Sequence, residues 1–164
     1  MEVRAKKALG QHFLTDQSIA KAIVAALEPA EGGSADVLEI GPGMGVLSQY
    51  LLQREDIDLK MIEIDAESVE YLQKHFPDAA GKVIYGDFLK LDIDHLFSGS
   101  FNVIGNFPYN ISSQIFFRIL DYKDRIPQTV CMIQKEVAER IAEKPGSKTY
   151  GILSVLVQAW YCTS

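Results

Sequence analysis

The 164-residue sequence lacks most of the marks of a special environment. It has two cysteines, Cys131 and Cys162, spaced neither as a metal site nor as a redox pair. They read as core residues of a cytoplasmic protein, and no metal is expected. No apolar run approaches the ~20 residues that cross a bilayer, so no membrane partner is expected. There is no internal repeat and no low-complexity tract. An excess of positive charge is also missing. The net charge is −6, so the overall field does not attract a polyanion. A nucleic-acid partner would need a local basic patch, for which Arg4, Lys6, Lys7, Lys144 and Lys148 are the candidates. A solvated surface is the competing reading of the same charges.

What is present is an ordinary globular composition, 48% hydrophobic and 23% charged, of a length that suits one domain with a proper core. The chain alternates between two periods. Residues 16–28 place Ile19, Ile23, Val24 and Leu27 on one helical face, and Pro29 stops the helix. Strands are expected at 36–41, 58–65, 82–87, 101–105 and 128–134. Helices are expected at 45–55, 66–76 and 112–122, with two more helical stretches after the fifth strand. Strands alternating with helices predict an α/β fold, a mostly parallel sheet with helices on both faces.

The first strand runs into "EIGPGMG". Gly41, Gly43 and Gly45 permit a tight turn and a close backbone approach to a ligand. In the dinucleotide fingerprint G-x-G-x-x-G the third glycine would fall at Val46, one place later. That departure argues against a diphosphate-bearing cofactor, although a structural loop would also use these glycines. Glu39 lies inside the strand, where a carboxylate is costly unless paired, so a cation or donor network is expected beside it. Glu63 ends the second strand, where such folds hold ribose hydroxyls with a carboxylate. Asp65 competes for that role but suits the N-cap of the next helix. Asp87 ends the third strand and can accept from an adenine amine or serve as a turn aspartate. Carboxyl ends of parallel strands converge on one crevice. Glycine, glutamate and aspartate there describe an adenosine cofactor without diphosphate, S-adenosylmethionine.

"NFPY" ends the fourth strand beside the same crevice. The adenine amine is a poor nucleophile because its lone pair is delocalised into the ring. Acceptors aimed at its hydrogens favour the tetrahedral amine and stabilise the charge that develops. Asn106 offers its side-chain oxygen, Pro108 a rigidly placed carbonyl, and Tyr109 a ring to stack on a flipped base. Positioning does most of this chemistry, and no strong base is needed. A proline turn with core aromatics is the plainer alternative.

With these residues in place, the sequence resembles the ribosomal RNA adenine dimethyltransferases. The likeness is greatest to their bacterial branch, which dimethylates two neighbouring adenosines near the 3′ end of small-subunit rRNA. It runs through "KKALGQHFLTD", "LEIGPGMGVLS", "IEID", "GDFLKLD", "GNFPYNISS" and "PGSKTYGILSVLVQ", nearly the whole chain. The resemblance implies a Rossmann-like class I methyltransferase fold using S-adenosylmethionine. It implies that His12 and Leu14 line the cofactor site with Gly41, Gly43, Glu63, Asp87 and Asn106. It also implies catalysis through Asn106, Pro108 and Tyr109. The implied partner is small-subunit rRNA in an immature 30S-type particle, met by a monomer. His12 stands where many members carry asparagine, and Phe107 where leucine or isoleucine is more frequent. The family carries two further strands and a basic helical domain after the matching region. Residues 1–164 are therefore expected to form a catalytic domain truncated before its last two strands. Strand five would lie at an open edge prone to self-association, and catalysis would be weak. Competing readings are a large-subunit rRNA adenine methyltransferase and a non-catalytic rRNA-binding assembly factor. A nicotinamide-dependent dehydrogenase is disfavoured by the glycine spacing.

Overall fold

The computed structural model describes residues 17–28, 35–107 and 111–132. Helix α1 spans Gln17–Ala26 and strand β1 Ala35–Ile40. Then come α2 Ser48–Leu51, β2 Ile57–Glu63, α3 Ala66–His75 and β3 Val83–Tyr85. Helix α4 covers Ile93–Leu96, β4 Asn102–Asn106, α5 Ser112–Asp121 and β5 Thr129–Met132. Short 3₁₀ turns lie at Pro77–Ala79 and Phe88–Lys90. All four strand pairings are parallel, in the order β3-β2-β1-β4-β5. The strand order reverses between β1 and β4, and that is where an open α/β sheet leaves a crevice at its carboxyl edge.

Two apolar layers hold the sheet, one on each face. In one, Leu38, Ile62 and Val103 pack with Phe101, Phe107, Ile115, Phe116 and Ile119. In the other, Val37, Met61, Ile104 and Val130 pack with α1 and with Leu47 and Leu51. Neighbouring strand residues go to opposite layers, as the two-residue period demands. Cys131 is buried in the first layer, and burial pushes its thiol pKa up. On and just after α1, Ala20, Ile23, Val24 and Leu27 are buried, spaced as one helical stripe. The helix ends on Arg54, whose Nη1 donates to the carbonyls of Val24 and Leu27 at 2.9 and 2.8 Å. The last carbonyls of a helix lack the full set of intrahelical partners, and Arg54 supplies donors there.

The sequence pattern places the helix after the glycine turn at 45–55, but α2 is only Ser48–Leu51. Gly41, Gly43 and Gly45 all have positive φ, so regular helix cannot begin until the turn is complete. At the far end, Gln53 and Arg54 donate to carbonyls three residues back rather than four, which tightens the chain into a turn. No described helix is long and apolar enough to cross a membrane. Among the described residues no group of His, Cys, Asp or Glu could hold a metal ion.

Candidate cofactor and active site

The site is built from the carboxyl ends of four strands. Backbone bonds lace them together. Gly41 N–H donates to the Ile62 carbonyl, and Gly86 N–H to the Glu63 carbonyl, both at 2.9 Å. The glycine turn leaves β1, Glu63 is the last residue of β2, Asp87 lies two residues beyond β3, and Asn106 ends β4. Gly105 lets β4 approach: a Cβ there would lie 2.4 Å from the Ile40 carbonyl oxygen. The same proximity brings the Asn106 carbonyl to 3.6 Å from where a Cβ on Gly41 would stand. Residues 41 and 106 therefore face each other across the strand reversal.

Glu63 is buried, 7% exposed, and both its oxygens are in use. Oε1 accepts from Gly43 N–H at 2.8 Å and Oε2 from Asp65 N–H at 3.0 Å. The carboxylate thus sets the glycine turn as well as ending β2. A carboxylate offers about four lone-pair sites, so two remain for a pair of hydroxyl donors. Asp65 takes the N-cap position of α3 with extended backbone, and its carboxylate accepts from the Ser68 hydroxyl at 2.8 Å. The two acids thus take different places, Glu63 at the strand end and Asp65 at the helix start.

Asp87 uses one carboxylate oxygen locally. Oδ1 accepts from Leu89 N–H at 2.9 Å and caps the 3₁₀ turn. Turn aspartate and amine acceptor are therefore compatible readings, because Oδ2 is not consumed by that cap. Ile64, which follows Glu63 in sequence, is 55% exposed.

Of the cation or donor expected beside Glu39, the structure supplies a donor. Glu39 is buried, and its partner is neutral: the Ser48 hydroxyl donates to Oε1 at 2.5 Å. Desolvation raises its pKa from 4.5 to about 8, opposed by the serine bond and aided by the charge on Glu63. At neutral pH it is mostly protonated.

Phe107 is buried and meets Phe116 of α5 edge to face, centroids 5.3 Å apart. The residue after Asn106 is thus an anchor in the core. Pro108 and Tyr109 lie outside the described residues, as do His12, Leu14 and the basic residues Arg4, Lys6, Lys7, Lys144 and Lys148. The structure therefore brings together Gly41, Gly43, Glu63, Asp87 and Asn106.

The parallel order, with a glycine turn at the reversal and an acid ending the next strand, is the architecture of the class I S-adenosylmethionine methyltransferases. The Pyrococcus horikoshii protein PH1948 shares the fold at a TM-score of 0.56, with 20% identity over 77% of this chain and 63% of its own. The family model described as ribosomal RNA adenine dimethylase matches residues 2–164, and the chain belongs to that family. A Parabacteroides distasonis protein named ribosomal RNA small subunit methyltransferase A is 63% identical over 97% of this chain and 59% of its own length. The protein of that name from Cytophaga hutchinsonii is 58% identical over 98% of this chain and 62% of its own. The chain thus spans about three-fifths of the length of these relatives. Among solved structures, a dimethyladenosine transferase from Plasmodium falciparum aligns at a TM-score of 0.62, with 29% identity over 86% of this chain and 50% of its own.

Proposed function

We propose that the protein transfers methyl groups from S-adenosylmethionine to the exocyclic amines of two adjacent adenosines near the 3′ end of small-subunit rRNA. The work belongs to ribosome biogenesis in the cytoplasm, on an immature 30S-type particle met by a monomer. Residues 1–164 form the cofactor-binding, catalytic part. The observation that carries the reading is the convergence of Gly41, Glu63, Asp87 and Asn106 at one sheet edge, in a chain this similar to small-subunit rRNA methyltransferases.

The residues fit the cofactor. Glu63 keeps two acceptor sites for ribose hydroxyls while fixing the glycine turn. Asp87 keeps one oxygen for the adenine amine. His12 and Leu14 line the site. S-adenosylmethionine, when bound, supplies a methyl group activated by its sulfonium. Asn106 Oδ1 and the Pro108 carbonyl accept the two hydrogens of the target amine, and Tyr109 stacks on the base. So held, the amine would keep its lone pair available for that methyl, and would lose one proton to solvent on accepting it. Two cycles give the dimethyl product. The basic residues Arg4, Lys6, Lys7, Lys144 and Lys148 contact phosphates.

The test uses the full-length protein, labelled S-adenosylmethionine and immature small subunits. Asn106→Ala should lower turnover about 10²–10³-fold, the usual cost of removing one oriented polar group. Cofactor affinity, measured in parallel, should change much less. Near-normal methylation by the variant contradicts the role of Asn106. Preferential methylation of large-subunit rRNA by the parent protein would move the reading to the large-subunit enzymes.

A further inference from the structure

Arg118 lies midway along α5, outside every motif, in a helix that starts at Ser112, a few residues after Asn106. An arginine in an RNA-modifying protein suggests a phosphate contact, but this one is turned to the protein itself. Nη1 donates to the Phe88 carbonyl at 2.7 Å, and Nη2 donates to the Leu91 carbonyl. The guanidinium also lies 5.5 Å from the centroid of the Phe88 ring and 5.9 Å from that of Tyr122. Phe88 and Leu91 bracket the 3₁₀ turn that follows Asp87. The turn is thus tied at both ends, by the Asp87 carboxylate at its start and by Arg118 at its close. A planar fork holding two carbonyls fixes an orientation that a single ammonium cannot.

We propose that Arg118 is a positioning residue for cofactor selection, acting through Asp87. By clamping the Phe88–Lys90 turn to α5 it fixes the direction of the free Asp87 oxygen, and so sets how strongly an adenine amine is preferred. This rests on the reading of Asp87 above.

The test is calorimetric binding of S-adenosylhomocysteine and of its hypoxanthine counterpart, which carries a carbonyl in place of the amine. Arg118→Met keeps the stem over Phe88 and removes the donors. It should weaken S-adenosylhomocysteine about tenfold and leave the hypoxanthine analogue unchanged, so that discrimination collapses. Arg118→Lys should recover part of the preference, since one carbonyl can still be met. Circular dichroism and thermal unfolding check that both variants fold. Equal weakening of both ligands would make Arg118 merely a fold-holding residue and overturn the inference. So would unchanged discrimination in a parent chain that does discriminate. A parent chain that binds neither ligand would overturn the cofactor reading itself, and this inference with it.

Discussion

Burial pushes the Glu39 carboxyl up to about 8, against an ordinary 4.5, and that shift links stability to pH. The folded protein binds this proton more tightly than the unfolded chain does. Its contribution is therefore complete below about pH 4.5 and is lost as pH rises towards 8. The slope within that window is about 1.4 kcal/mol per pH unit. Glu39→Gln keeps the shape and an acceptor for Ser48 but does not titrate. Its urea-unfolding free energy should fall less between pH 5 and pH 8 than that of the parent. Identical slopes would mean that Glu39 is ionised in the folded protein. The sequence signalled that Glu39 needs a partner, because carboxylates are rare inside strands. It did not disclose which partner. Ser48 is nine residues away on a helix whose facing is set by the glycine turn, and no periodicity reports that.

At the scale of elements, alternation of apolar runs and turn residues was enough to find the five described strands. It failed where structure is shorter than its own period. Helix α4 and both 3₁₀ turns span three or four residues and rest on single caps such as Asp87 and Asp92. Helix α2 came out short because the pattern of Val46, Leu47, Leu51 and Leu52 says nothing about backbone dihedrals. Nor does it report how closely strands approach. Gly105 reads in sequence as one more glycine, yet it allows β4 to pass against Ile40 and sets Asn106 opposite Gly41. Gly105→Ala forces a methyl onto backbone that cannot swing away and should destabilise the protein by about 1–3 kcal/mol. Gly99→Ala meets nothing within 4 Å and serves as the control, with little change expected. Chemical denaturation of the two variants decides it, and equal stabilities would contradict the close approach.

At the scale of the whole molecule, two apolar layers fix the sheet and the sheet fixes the crevice. A mostly parallel sheet was expected from the alternating pattern, and the structure adds the strand order and how the strand ends are laced together. Glu63 carries most of that lacing and most of the proposed cofactor binding, so it tests the account best. Glu63→Ala would also release Gly43 and Asp65 N–H groups; Glu63→Gln retains one acceptor oxygen and removes the charge. The most direct measurement is calorimetric binding of S-adenosylmethionine to this chain and to Glu63→Gln, with folding of both confirmed. The account predicts that the parent binds and that the variant loses about tenfold or more in affinity. Equal affinities would remove Glu63 from the site and direct attention to Asp65, and no binding by the folded parent would contradict the cofactor crevice itself.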